Sequence, residues 1–170
     1  GDKAAASGAV GYGGTLKLLW TGITPTTGTV DLFDGSGFSG AFSSLQFSNW
    51  PSAYRVSTNN LVNDGSITIA ANAAPVANNL TLGVARGATA AVQVIGGKHT
   101  PTDADGDSVV VTAVSTPIVG GGVAATNGGT GFTYTANATS VLGTNTFTYT
   151  VTDVFGATDT KTVTVVVSDP

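Results

Sequence analysis

The sequence predicts an all-β protein made of two β domains, and three observations support this prediction. Apolar and hydroxyl residues alternate along the extended runs, most regularly from Thr146 to Ser168. Short breaks rich in Gly and Asn separate these runs, as they do in sheets built from hairpins. The apolar residues do not recur at the spacing of a helix, so we expect strands throughout.

The composition can supply a core, but it carries few charges. Of 170 residues, 41% are hydrophobic and only 9% are charged, against about 25% charged residues in a typical protein. The absence of Cys excludes disulfides, thiolate metal sites and a cysteine nucleophile. Six Lys and Arg without a basic cluster argue against nucleic acid and anionic membranes as partners. A net charge of −4 opposes self-association only weakly.

The hydropathy predicts no membrane-spanning helix. The first ten residues lack the apolar segment of a signal peptide, so we expect either a mature product or an excised segment. No apolar run approaches the roughly 20 residues that a spanning helix requires.

Residues 1–71 are predicted to form a small β-rich domain. Its first 14 residues, rich in Gly and Ala, are typical of a flexible lead or an edge strand. Trp50 and Pro51 end a Phe-rich run, and Asn63 to Gly65 predicts a turn. The predicted strands are Thr15–Trp20, Thr29–Phe33, Phe38–Phe47 and Ser66–Ala70.

Residues 72–78 are predicted to be a linker, because small residues and a proline separate two β patterns there. Residues 79–170 form the second predicted domain, and its strand spacing is typical of a β-sandwich. The predicted strands are Val76–Leu82, Ala90–Ile95, Ser108–Val114, Val119–Thr126, Gly131–Ala136, Thr146–Thr152 and Thr160–Ser168.

The last two of these strands form the most regular hairpin pattern. Phe147, Tyr149 and Val151 alternate with threonines, and a Gly-containing break precedes the run Val163–Val167. We expect the alternating apolar residues at the centre of a core. Val166 falls on the outer face, where we expect contact with another domain or subunit.

Two segments resemble known bacterial families. Residues 28–69, through DLFD, GFSGAFSSLQF and VSTNNLVNDGSITI, resemble the segment that closes autotransporter-like β-repeat surface proteins. Residues 75–168 resemble bacterial Ig-like and cadherin-like tandem modules through APVANN, TDADGDSVVVTAV, GFTYTANATSVLGTNTFTYTVTDVFGAT and TVTVVV. The second resemblance implies a seven-stranded Greek-key sandwich that serves as a spacer, adhesive or assembly unit.

The densest acidic cluster is Asp103, Asp105 and Asp107. Alternate carboxylates in a Gly-containing loop suit calcium, with Asp153 as a further candidate ligand. The residues at 97–101 lack the acids that accompany such a loop in the resembling family. The alternative is that these aspartates make Asx-turns without metal. No other cofactor is expected.

An enzymatic function is not predicted. His99 is the only histidine and lies in a polar loop typical of solvent-exposed positions. The segment Gly37-Phe38-Ser39-Gly40 begins like a nucleophile elbow, but Ala41 stands where that pattern needs Gly, and no helix is predicted to follow.

The function predicted first is an exported structural or adhesive protein of the bacterial surface or extracellular matrix, which assembles with copies of itself or with tandem modules. The expected contact is head-to-tail strand addition, with Ala4–Val10 and Val163–Val167 as candidate strands. The alternative is a carbohydrate-binding or spacer module of a larger secreted enzyme or adhesin. Trp20, Trp50 and Tyr54 are its candidate sugar-binding residues, and core packing is the other explanation for them.

Overall fold

A computed structural model describes residues 4–22, 24–118 and 122–170, and nearly all of its regular structure is β-strand. Backbone contacts divide the chain into unit 1, residues 1–72, and unit 2, residues 73–170. The elements of unit 1 are β1 Ala4–Ala5, β2 Val10–Tyr12, β3 Thr15–Leu19, β4 Gly28–Asp31, β5 Phe33–Asp34, β6 Phe38–Gly40, β7 Ser44–Ser48, β8 Tyr54–Ser57, α1 Leu61–Asp64 and β9 Ser66–Ala71. The predicted all-β class is confirmed.

Unit 1 begins as two stacked coils of a parallel β-solenoid. Strands β1, β2 and β3 pair in parallel with β5, β6 and β7, each pair forming a separate face. The offset between paired residues is 29 for Ala4 with Phe33, 28 for Val10 with Phe38 and 29 for Thr15 with Ser44. We call residues 4–22 coil 1 and residues 33–50 coil 2. Residues 1–3 of the predicted N-terminal lead lie outside the described residues.

Coil geometry explains why the predicted strand Phe38–Phe47 is wrong as one continuous strand. The chain turns a corner between β6 and β7 at Gly40, whose φ is 82°. A Cβ atom built on Gly40 would lie 2.5 Å from the backbone oxygen of Tyr12. Glycine alone fits this positive φ and the close approach of coil 1.

The other end of unit 1 is an antiparallel sheet of β4, β9 and β8. The predicted turn at Asn63 to Gly65 is the end of α1, where Gly65 has a φ of 77° and donates its N–H to the Leu61 oxygen. The Gly65 oxygen accepts the N–H groups of Leu32 and Phe33, which joins this layer to coil 2. We call α1, β8 and β9 the cap.

Unit 2 is a two-sheet sandwich. Its strands are β10 Leu80–Ala85, β11 Thr89–Gln93, β12 Val109–Val114, β13 Gly122–Asn127, β14 Gly131–Ala136, β15 Gly143–Asp153 and β16 Thr158–Ser168. One sheet has the order β10-β16-β15-β12 and the other β11-β14-β13. The predicted seven-stranded sandwich is confirmed, although residues 119–121 at the start of the fourth predicted strand lie outside the described residues.

The β15–β16 hairpin carries the centre of the sandwich core, as the alternation predicted. Phe147, Tyr149 and Val151 are at most 1% exposed, and Val163 and Val165 are fully buried. Phe147 faces Val163 across the hairpin, and a row of threonines lies on the other face of both strands.

The strand-addition role predicted for Val163–Val167 is wrong in one respect. This segment of β16 is paired on one side with β15 and on the other side, in parallel, with β10. It therefore has no free edge to offer. Ala4–Val10 is paired within the chain on one side only, Ala4 and Ala5 with β5 and Val10 with β6, and its other side meets no described strand.

The hydrogen-bond partners of the backbone change from unit 1 to unit 2 between Asn72 and Ala73. Asn72 donates its backbone N–H to the Ala53 oxygen and its side-chain amide to the Ser52 oxygen, both within unit 1. Ala73 donates its N–H to Asp105 within unit 2. Most residues of the predicted linker thus belong to the hydrogen-bonded structure of unit 2.

Candidate functional site

The acidic loop of unit 2 connects β11 to β12 and brings three predicted ligands together. One carboxylate oxygen from each of Asp103, Asp105 and Asp107 lies within 4.8 Å of the others. The Asp103 Oδ1 atom accepts the backbone N–H groups of Asp105 at 2.9 Å and Asp107 at 3.2 Å. Gly106, with a φ of 78°, allows the tight turn. The Asx-turn interpretation therefore describes part of this loop.

The remaining oxygens of the loop fit a hard cation. The Asp103 Oδ2 atom is buried and accepts no hydrogen bond from the described residues. Leaving a carboxylate oxygen buried without a donor is costly. Calcium prefers carboxylate and carbonyl oxygens in flexible loops of this kind. Asp103, Asp105 and Asp107 would be the residues that hold it.

Asp153 lies at the end of β15 and has a different structural task. Its Oδ1 atom accepts the N–H groups of Phe155 at 2.8 Å and Ala157 at 2.9 Å, which closes the turn between β15 and β16. Among the described residues, the acidic cluster comprises the three loop aspartates and does not include Asp153.

A second polar cluster in unit 2, which the sequence did not predict, holds the segment ahead of β10. The Tyr149 hydroxyl donates to the Asn78 oxygen at 2.6 Å, and Asp159 Oδ2 accepts the Ala77 N–H at 2.8 Å. Burial raises the pKa of Tyr149, and the charge of Asp159 adds to that shift. Burial acts to raise the pKa of Asp159, but the Ala77 hydrogen bond and Lys161 hold it below its usual value. Each of these two hydrogen bonds joins residues that are far apart in sequence, so no local motif predicts the cluster.

The predicted sugar-binding residues lie together in unit 1, but they are half-buried. The rings of Trp20 and Trp50 meet edge to face, with centroids 5.9 Å apart. Trp50 donates its indole N–H to the Tyr54 backbone oxygen at 2.7 Å, so that donor is already used. The two tryptophans line a cavity of about 300 Å³ together with apolar side chains such as Leu32 and Ile67. Edge-to-face rings within an apolar layer favour core packing over a flat sugar-stacking platform.

The segment that begins like a nucleophile elbow does not have that structure. Phe38–Gly40 is strand β6, so the strand-turn-helix of a nucleophile elbow is not formed there. His99 lies in the turn after β11 and is half-buried.

Comparison with known families decides what unit 2 is. Residues 72–166 match the bacterial Ig domain family. The chain belongs to this family. Bacterial Ig domains are typical of surface or extracellular proteins, and the family is generally non-catalytic. In the part of the chain that the structure describes, no helix is long and apolar enough to cross a membrane.

Comparison with individual proteins adds little to this bacterial Ig domain assignment. A solved structure of a nucleoside hydrolase-related hypothetical protein from Saccharophagus degradans, associated with carbohydrate metabolism, is 17% identical and superposes with a TM-score of 0.43. The match covers 58% of this chain and 26% of that one, and it carries no argument about function. No curated protein matches the chain.

Proposed function

We propose that this protein is an exported structural or adhesive component of the bacterial surface or extracellular matrix, and that it assembles with copies of itself by adding strands at a sheet edge. Its bacterial Ig domain supports the extracellular setting. The observation that carries the assembly proposal is the edge strand β10, which pairs with β16 on one side and with no described strand on the other.

Strand β10 lacks the devices that usually protect a sheet edge. Proteins blunt such edges with charged side chains, prolines and β-bulges. The sequence of β10 is LTLGVA, and its pairing with β16 runs without a bulge from Leu80 to Ala85. Arg86, the charge next to it, is paired with Asp169.

The opposite edge of the same sheet, β12, differs in one feature. Its pairing with β15 shifts register between Val111 and Ala113, which is the mark of a β-bulge. The bulge and the Val111 N–H, which donates to the Gly129 oxygen, protect the centre of β12, so a neighbour would have to pair with β12 outside Val111–Ala113. Pairing of β10 with that part of the β12 edge in the next copy would continue the sheet and give an open fibre, whereas β10 with β10 would close a two-fold dimer. The fibre is the form we propose.

The experiment is to place a charge on the edge strand without disturbing the sandwich. Thr81 is exposed on β10, and Thr162 is exposed on the same outer face but on the interior strand β16. We expect Thr81→Lys to abolish concentration-dependent assembly in sedimentation and electron microscopy. The matched variant Thr162→Lys should assemble like the parent chain.

Two results would overturn the assembly proposal. If the parent chain stays monomeric at high concentration, or if both Lys variants lose assembly equally, edge addition at β10 is wrong. A closed dimer in place of filaments would reject the fibre form.

We further propose that the acidic loop binds calcium, for which the buried Asp103 Oδ2 atom is the supporting observation. Calcium should raise the unfolding temperature of the chain, and Asp103→Asn should remove that shift. Thr102→Ala, beside the carboxylates but not one of them, is the matched control. Calorimetry that detects neither binding heat nor a thermal shift would leave the Asx-turn role as the whole function of the loop.

A further inference from the structure

Each of the three strands of coil 1 has one edge that pairs with no strand in the described part of the chain. β1, β2 and β3 each belong to a two-stranded sheet whose other member lies in coil 2. In a parallel pair, alternate residues direct their N–H and C=O groups to one partner and the intervening residues direct theirs away from it. All three faces of coil 1 therefore carry backbone donors and acceptors that point away from coil 2.

Inward-facing side chains are more buried in the cap than in coil 1. In the cap, Leu61, Ile67 and Ile69 are 3–5% exposed. In coil 1, the inward-facing Val10, Tyr12, Leu16, Leu18 and Trp20 are all half-buried. The apolar inner side of coil 1 is thus partly exposed to solvent.

The contacts between coils 1 and 2 show what kind of neighbour this layer accepts. Tyr12 stacks on Phe38 at 6.1 Å and on Phe42 at 5.1 Å, and Trp20 contacts Trp50. Aromatic side chains of the two coils thus pack on one another, although they do not occupy paired positions. The Thr15 and Ser44 hydroxyls, which do occupy paired positions, form a hydrogen bond of 2.8 Å between the coils. The apolar side chains of coil 1 remain half-buried on the side away from coil 2.

We propose that the open end of coil 1 is a stacking site for a further coil of parallel β-solenoid, offset by 28–29 residues in the way that coil 2 is offset from coil 1. Such a coil would pair with β1, β2 and β3 at once and would pack on the half-buried apolar side chains of coil 1. Its inward positions would be apolar or aromatic and its outward positions small or hydroxyl-bearing. This site is separate from the β10 edge and does not depend on the proposed assembly.

A second copy of this chain does not supply such a coil. Its own coil 2 is covered at β5, where Leu32 and Phe33 donate to Gly65, and at β6, where Gly65 lies against the Phe38 ring. Its coil 1 would meet the open end with strands running antiparallel under a two-fold axis. Neither arrangement continues a parallel stack on all three faces.

The charge of the open end also favours a solenoid coil over a charged ligand. Lys17 is the one charged residue among the described residues of coil 1. It lies on the outward side of β3 and pairs in register with the neutral Gln46. An uncharged, apolar end with parallel strand edges matches another coil of the same kind and offers little to an ionic partner.

The test adds a further coil to the full chain. One variant carries a second copy of residues 4–32 directly ahead of Ala4, and its matched control carries the same residues in reversed order. Hydrogen exchange is then followed by NMR at the β2 and β3 amides that point away from coil 2. We expect the added copy to slow their exchange at least about tenfold, and the reversed copy to leave it unchanged. The amides of β15 and β16 report in the same sample whether the chain is folded.

The unmodified chain provides a second measurement, in case the extended variant does not fold. Its outward-pointing coil 1 amides should exchange at least about tenfold faster than the neighbouring amides bonded to coil 2. Equal protection of the two sets would overturn the proposal, because the edge would then already be covered. A dimer with protected coil 1 amides would identify a second copy as the occupant and also overturn it. Equal slowing by the forward and reversed copies would do the same.

Discussion

The two units are built from similar residues, but they close their cores to very different degrees. Among the described residues, fourteen buried hydrophobic residues form one cluster in unit 2, whereas unit 1 has four, all in the cap or beside it. In unit 2, two sheets face each other, and each buries one of its sides against the other. Stacked coils bury a layer only where another layer follows. Unit 1 is therefore closed at the cap and open at coil 1, and its stability should depend on what covers it.

The largest expected effect follows from deleting side chains at different depths. Phe147→Ala in unit 2 should cost about 3–5 kcal/mol of unfolding free energy, and Ile67→Ala in the cap about 2–5 kcal/mol. Leu18→Ala in coil 1 should cost less than about 2 kcal/mol, because that side chain is half-buried. Urea titration of each variant measures these costs. A Leu18→Ala cost equal to that of Ile67→Ala would contradict the burial gradient within unit 1.

The next effect concerns the junction between cap and coil 2. A Cβ on Gly65 would lie 2.5 Å from the Phe33 oxygen and 2.7 Å from the Phe38 ring, and its φ is positive as well. We expect Gly65→Ala to destabilise unit 1 by more than about 2 kcal/mol, which exceeds the cost of a left-handed conformation alone. Gly87 has a φ of 82° with no atom within 4 Å of the added Cβ, so Gly87→Ala measures that conformational cost separately. Similar losses of stability in the two variants would mean that the close contact of Gly65 with Phe33 and Phe38 adds nothing to the conformational cost.

The smallest expected effect is a pH dependence confined to unit 2. Because the pKa of Asp159 is lower in the folded chain, its ionised form stabilises unit 2 above the unfolded pKa of about 3.9. That contribution is lost as the pH falls through the lower folded value. Asp159→Asn should thus be less stable than the parent at pH 7, by under about 1 kcal/mol, and the two should converge in acid. Lys161→Gln, which removes only the ion pair, should show part of the difference.

The sequence predicts unit 2 better than unit 1 because the two folds depend on different distances along the chain. The hairpin from Thr146 to Ser168 is local, and its alternation identifies Phe147, Tyr149 and Val163 as core residues. The coils of unit 1 pair residues 28–29 positions apart, and their short strands alternate too briefly to reveal the match. The spacing of 29 positions between Leu16 and Leu45 is the signal that could have predicted them.

The candidate site shows the same limit. The three loop aspartates lie within five residues of sequence, and the structure brings their carboxylates together. The hydrogen bond from Tyr149 to Asn78 joins residues 71 positions apart, and no spacing rule predicts it. The free edge of β10 depends on its parallel pairing with β16 at the far end of the unit. Edges are properties of strand order, which the alternation pattern alone does not determine.

One measurement tests the difference between the units most directly. Both tryptophans, Trp20 and Trp50, lie in unit 1, so their fluorescence reports unit 1 alone, while the amide signals of β15 and β16 report unit 2. We predict that in a urea titration of the full chain the tryptophan transition comes at a lower urea concentration than the loss of the β15 and β16 signals. Coincident transitions, or a tryptophan transition at the higher concentration, would contradict the claim that unit 1 is the open and less stable part of the protein.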